Sequence, residues 1–186
     1  QWMDREVTER ACSYLMNRNE DDRPFAAVVG YLLPHCPFVG EAELYDYYYD
    51  RVTIPEVESA QTETIVRFRR NRGILDPPLP SSRIRVAKTA YYAMCESMDR
   101  MIGQILDALE RSGEAEHTAV VYTSDHGEMI GDHGCFWKSN YYEGSVGIPL
   151  IIRYPGVAGS GTSTGGIVNL YDLGPTFCDF AQTDEM

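Results

Sequence analysis

The stretch TSDHGEMIGDHGCFWK, residues 123–138, crowds Asp125, His126, Glu128, Asp132, His133 and Lys138 into one short segment. Asp125 and His126 are adjacent, so one carboxylate oxygen and one imidazole nitrogen could bind the same divalent cation. Gly127 follows and lets the backbone turn tightly. The plainer alternative has Asp125 capping a turn and His126 on the surface. The position of the pair, directly after the apolar run at 117–125, favours ligation. Lys138 sits behind Phe136 and Trp137, where an ammonium could be held over a pocket to neutralise an anion. Taken alone, it reads as an ordinary exposed lysine. His133 either lines the same pocket or serves the turn around it. Glu128 reads as a solvated loop residue, and the two aromatics as packing.

A second stretch raises the same chemistry. FAAVVGYL, residues 25–32, has the apolar character of a buried strand, and LPHCPF follows at 33–38. Pro34 and Pro37 fix two φ angles and remove two backbone donors around His35. A loop stiffened in this way holds a side chain in a set direction. His35 thus joins Asp125 and His126 as a residue just past an apolar strand.

The elements that must position these residues alternate between helical and extended patterns. Val7, Ala11, Tyr14 and Leu15 give residues 2–19 a helical period, and NEDDRP (19–24) breaks it. EAELYDYYYD is helical or irregular, and the arginine-rich run at 67–72 reads as a solvated helix face. Residues 74–82 form a proline-rich loop. The longest helix is expected over 83–111, with Ala87, Tyr91, Met94, Met98, Ile102, Ile105, Leu106 and Leu109 along one stripe, ending at Gly113. Strands are expected at 117–125, 148–155 and IVNLYD (167–172), with a glycine-rich turn at 156–166. Asp172 is placed to cap a last helix over 173–181. Apolar strands separated by helices predict an α/β fold with a mainly parallel sheet flanked by helices. Such sheets bind ligands beyond the carboxyl ends of their strands, where His35 and Asp125-His126 fall.

The net charge of −12 argues against nucleic-acid binding. It also means that an anionic substrate needs local positive charge from a metal, Lys or His. No apolar run reaches the roughly 18 residues of a membrane span. Five scattered cysteines, without a C-x-x-C pair, indicate neither a disulfide framework nor a structural zinc site. They leave the compartment open, with a lean to reduced thiols. The start, QWMDREVTER, has no initiator Met and no signal-peptide pattern, so a piece of a longer protein is expected.

Five stretches in order resemble the sulfatase family of the alkaline-phosphatase-like superfamily: RPFAAVVGYLLPHCPF, AKTAYYAMCESMDRMIGQILDALERSG, TAVVYTSDHGEMIGDHGCFWK, EGSVGIPLIIRYPG and VNLYDLGPTF. They span nearly all of the chain, which is read as part of one sulfatase catalytic domain. The resemblance implies hydrolysis of a small-molecule or carbohydrate sulfate ester. It implies Asp125 and His126 as ligands of a divalent metal, Ca²⁺ first. It implies His35 and Lys138 as catalytic, substrate-contacting residues, with His133 as a further candidate at the substrate. The family's nucleophile lies in C-x-P-x-R or S-x-P-x-R and becomes formylglycine. No cysteine or serine of this chain has that context, and the family's paired aspartates and K-x-H pair are missing too. The sequence therefore reads as a middle-to-C-terminal portion, with the nucleophile and half of the metal site upstream, inactive alone.

Three other readings stand beside it. A phosphonate monoester or phosphodiester hydrolase of the same superfamily would share these residues and favour Mn²⁺. A non-catalytic binding domain would have kept the fold alone, against which the joint presence of His35, Asp125, His126 and Lys138 argues. A zinc hydrolase built from His35, Asp125, His126 and His133 lacks the spacing of familiar zinc motifs.

Overall fold

A computed structural model describes residues 2–18, 23–57, 61–75, 77–156 and 161–183. The chain falls into two compact units, one of residues 1–113 with 126–147, the other of 114–125 with 148–186.

The first unit is built on helices: α1 (Trp2–Met16), α2 (Ala42–Tyr49), α3 (Glu63–Asn71), α4 (Ser81–Arg111) and the short α5 (Glu143–Val146). Helix α4 is the scaffold, and α1 and α2 both pack on it. It starts after Pro80, whose ring suits a helix entry but not its interior. It ends before Gly113, whose φ of +81° is the left-handed conformation expected there. Its buried face differs from the expected stripe. Ala90, Ala93, Met94, Met101, Ala108 and Leu109 are buried, while Leu106 is exposed. Small residues mark where neighbours come close: a Cβ on Gly40 would lie 2.5 Å from that of Ala93.

The segment at 25–32 is not a strand. Among the described residues no strand forms a ladder with it, and a strand exists only through its ladder partners. Val28 is almost fully exposed. The end of the segment is nevertheless fixed to α1. The Leu32 N–H donates to the Asp4 carboxylate at 2.6 Å, and the Tyr31 and Thr8 hydroxyls are 2.9 Å apart. Leu33 then buries against Met94 and Met101, with Tyr31, Phe38 and Met98 around them.

The second unit holds the only ladder among the described residues. β1 (Val120–Thr123) and β2 (Leu150–Arg153) pair antiparallel, Val120 opposite Arg153 and Thr123 opposite Leu150. The expected strands at 117–125 and 148–155 are therefore present and shorter, and their mutual order is antiparallel rather than parallel. The third expected strand, at 167–172, is instead a 3₁₀ turn at Leu170–Asp172 that leads into α6 (Leu173–Phe180). Local chemistry explains it: Asn169 accepts from the Tyr171 N–H, and Asp172 accepts from the Asn169 N–H. Side chains that satisfy nearby backbone groups compete with a ladder. Asp172 is thus committed to Asn169 and makes no side-chain cap on α6.

The helix break at 19–22 and residues 157–160 of the glycine-rich turn lie outside the described residues. No described helix is long and apolar enough to cross a membrane, and all five cysteines are unbridged. Burial pushes the Cys95 thiol up to about 11.

Candidate active site

Three of the expected residues meet within the first unit. His35 stands at the exposed tip of the turn that follows buried Leu33, and the turn closes by a bond from its N–H to the Leu32 carbonyl at 2.8 Å. Both peptide bonds entering its prolines, Leu33-Pro34 and Cys36-Pro37, are cis. The Lys138 Nζ lies 3.0 Å from His35 Nε2. The His126 ring is edge-on to the His35 ring, with centroids 6.5 Å apart.

The two histidines share one device. His35 Nδ1 is 2.8 Å from the Cys36 carbonyl, and His126 Nδ1 is 2.8 Å from the Gly127 carbonyl. A carbonyl only accepts, so each Nδ1 carries a proton, and in the neutral ring each Nε2 keeps the lone pair. For His35, that lone pair accepts from the Lys138 ammonium. For His126, it is the form of imidazole that ligates a metal.

Lys138 owes its place to the loop before it. Met129 N–H donates to the Trp137 carbonyl at 3.1 Å, and Gly131 N–H to that of Cys135 at 2.8 Å. Glu128 is half-buried rather than a free loop residue: its carboxylate accepts from the backbone N–H groups of Ile130 and Trp137 and clamps the base of the loop. Ile130 and Phe136 bury against Ile84, with Trp137 beside them. Met129 and Cys135 bury against Ile65. Burial pushes the Cys135 thiol up, against the opposing pull of nearby Arg69. Phe136 and Trp137 are therefore packing residues, as their types suggest, and they hold the backbone that presents Lys138.

Gly127 fixes His126 in a similar way. Its N–H donates to the Ser145 carbonyl at 2.8 Å. A Cβ there would lie 2.2 Å from the Gly144 carbonyl oxygen, closer than any side chain tolerates. His126 is therefore anchored to the 144–147 segment.

Each of the remaining candidates has a contact of its own. His133 sits in the loop tip with φ +52° and stacks flat on Tyr142, with centroids 3.9 Å apart. Asp132 pairs with the buried Lys88 at 3.5 Å. Asp125 is exposed and belongs to the second unit, where its carboxylate accepts from the Ser124 hydroxyl at 3.4 Å. Among the described residues, no group of three or more His, Cys, Asp or Glu is placed to hold a metal ion. The donors that this chain offers at 125–126 are one carboxylate and one imidazole.

The contribution of α3 escapes a reading of the sequence. Arg69, expected on a solvated face, is buried. It lies four residues after buried Ile65, hence on the same helix face, and that spacing was the available signal.

Comparison with known proteins gives one pattern. The family model described as Sulfatase matches residues 1–183. A choline-sulfatase of Rhizobium meliloti is 31% identical over 90% of this chain and 34% of its own length. Arylsulfatase K of Mus musculus is 32% identical over 94% of this chain and 34% of its own length. The chain spans about a third of the length of the curated relatives it matches. Among solved structures, BT4656 in complex with its substrate D-glucosamine-2-N,6-O-disulfate aligns with a TM-score of 0.81 at 22% identity, covering 97% of this chain and 49% of that one. A phosphonate monoester hydrolase of Agrobacterium radiobacter aligns with a TM-score of 0.66 at 27% identity, covering 81% and 33%. The α/β, alkaline-phosphatase-like fold is that of these neighbours, and the two-stranded ladder described above is the part of a sheet seen here.

Proposed function

Because this chain belongs to the sulfatase family, we propose that its full-length parent hydrolyses a sulfate ester of a small molecule or carbohydrate, with His35 and Lys138 at the reacting group. The observation that carries this reading is the 3.0 Å contact between Lys138 Nζ and His35 Nε2, formed by two loops distant in sequence. Ester cleavage throws negative charge onto the leaving oxygen, and a pre-positioned ammonium beside it lowers the barrier. Lys138 is that ammonium. His35, its proton fixed on Nδ1 by the Cys36 carbonyl, accepts at Nε2 from the Lys138 ammonium and so holds it at that point, and one of the ammonium's other protons passes to the leaving oxygen.

Asp125 and His126 supply two ligands of a divalent cation, Ca²⁺ first. The Asp125 carboxylate is an oxygen donor of the kind Ca²⁺ takes, and His126, with its lone pair on Nε2, adds a nitrogen donor outside that preference. Two donors fall short of the six to eight oxygens that Ca²⁺ takes, so further ligands come from elsewhere in the parent. Bound there, the cation would neutralise charge on the sulfate group. Formylglycine is the nucleophile that the family leads us to expect in the parent; no C-x-P-x-R or S-x-P-x-R occurs in these 186 residues.

The likeness to a phosphonate monoester hydrolase favours a second reading, in which the reacting group is a phosphonate and the metal Mn²⁺. One assay separates the two: kcat/KM of the parent for an aryl sulfate and for an aryl phosphonate monoester, with Ca²⁺ and with Mn²⁺. A higher value for the sulfate is expected, and a preference for the phosphonate assigns the second reading. The 186-residue chain alone is expected to give no turnover in either assay. Release of inorganic sulfate by it, above a control without protein, would overturn the placement of the nucleophile.

A further inference from the structure

We propose that Arg69 is a positioning residue for Lys138, acting through Gln61 and the tip of the 128–138 loop; its catalytic consequence rests on the function proposed above. Arg69 is 7% exposed. Its Nη1 donates to Gln61 Oε1 at 2.8 Å, and Gln61 Nε2 donates to the His133 carbonyl at 2.7 Å. Arg69 Nε is buried with no partner among the described residues. A guanidinium held out of water by one neutral amide, with a donor unsatisfied, is costly. Such departures from good packing concentrate where a protein needs a geometry rather than stability.

What Arg69 holds is the loop tip. Gly134, at φ +67°, lies flat against the guanidinium, and a Cβ there would be 2.7 Å from its central carbon. The fit excludes a side chain and leaves the backbone of 133–134 resting on a rigid plane. From the tip, the bonds between Gly131 and Cys135 and between Met129 and Trp137 run down to Lys138. The clamp made by Glu128 fixes only the base. Arg69 and Gln61 fix the far end, so that the rungs between cannot slide. A lysine in place of Arg69 could donate to Gln61 but would lack the plane on which Gly134 rests.

The test uses the full-length parent in four forms: wild type, Arg69→Met, Gln61→Ala and Arg69→Lys, with Lys138→Ala as the reference. The first readout is the ¹⁵N shift of His35 Nε2, assigned with His35→Gln, which reports the hydrogen bond from Lys138 without any turnover. In Arg69→Met and in Gln61→Ala it is expected to move toward the Lys138→Ala value, and in Arg69→Lys to lie between. The second readout is kcat for an alkyl and a nitrophenyl sulfate. A loss of about tenfold is expected for the alkyl ester, below the roughly 10²-fold that a 1 Å misplacement costs. A loss under about threefold is expected for the nitrophenyl ester, whose leaving oxygen needs less help, with KM unchanged. An unmoved His35 shift in a folded Arg69→Met or Gln61→Ala protein overturns the proposal. If the parent leaves sulfate esters intact, the proposed function fails, and the His35 shift still decides the positioning role.

Discussion

Lys138→Ala in the full-length protein lowers kcat/KM for an alkyl sulfate ester by about 10²- to 10³-fold, the range that removal of one pre-positioned oxyanion donor costs. The size follows from pre-organisation. Lys138 follows a loop whose base, tip and two faces are all fixed, by Glu128, by Gln61 and by the Ile84 and Ile65 clusters. Little reorganisation is left for the moment of reaction. The effect grows with the basicity of the leaving oxygen, because a poorer leaving group carries more charge in the transition state. Steady-state kinetics across a series of alkyl and aryl sulfates measure it as a steeper leaving-group dependence in the variant. Lys138→Arg restores little, since the planar guanidinium cannot place a single point donor where Nζ stands. An equal loss for every leaving group would mean that Lys138 binds substrate uniformly, with no special hold on the leaving oxygen.

His126→Ala is expected to strip the proposed metal from the parent. Outer-shell partners of a ligand already cost roughly 10- to 100-fold in affinity or activity, so loss of a ligand itself is expected to exceed 100-fold in Ca²⁺ affinity. Elemental analysis of the purified variant and titration with Ca²⁺ measure it. Chelation of the wild type is expected to abolish turnover, with recovery on Ca²⁺ addition. His126→Ala with full metal content and unchanged activity would place the cation elsewhere. The ring is aimed by the carbonyl of Gly127, and Gly127 is itself pinned to the Ser145 carbonyl. The imidazole is therefore already oriented before the proposed cation binds.

Helical periodicity made α1 and α4 legible to within a few residues, because 3.6-residue patterning is local, whereas α6 was expected from an Asp172 side-chain cap that it does not have. The segment at 25–32 shows the opposite. Its composition is that of a strand, yet a strand is defined by what it pairs with, and no described strand pairs with it. The 167–172 segment failed for a local reason, two short polar side chains that bind the backbone first. In the site, His35 and His126 were singled out by the prolines and the glycine that flank them, and Lys138 only by its place in a stretch that resembles the family; the structure brings the three together. The supports were not legible. Glu128 looks like any acidic loop residue until its two backbone donors are seen. Arg69 hides in an arginine run and is told from its neighbours only by sharing a face with Ile65.

The central claim is that His35 and Lys138 act as one unit on the leaving oxygen, and a double-mutant cycle tests it most directly. The quantity is kcat/KM for an alkyl sulfate in the full-length wild type, His35→Ala, Lys138→Ala and the double variant. If the pair works together, the second substitution costs far less than it does alone, and the double variant lies within about tenfold of the worse single variant, as groups acting as a unit behave. Losses that multiply in full, with the double variant at the product of the two single effects, would contradict the account.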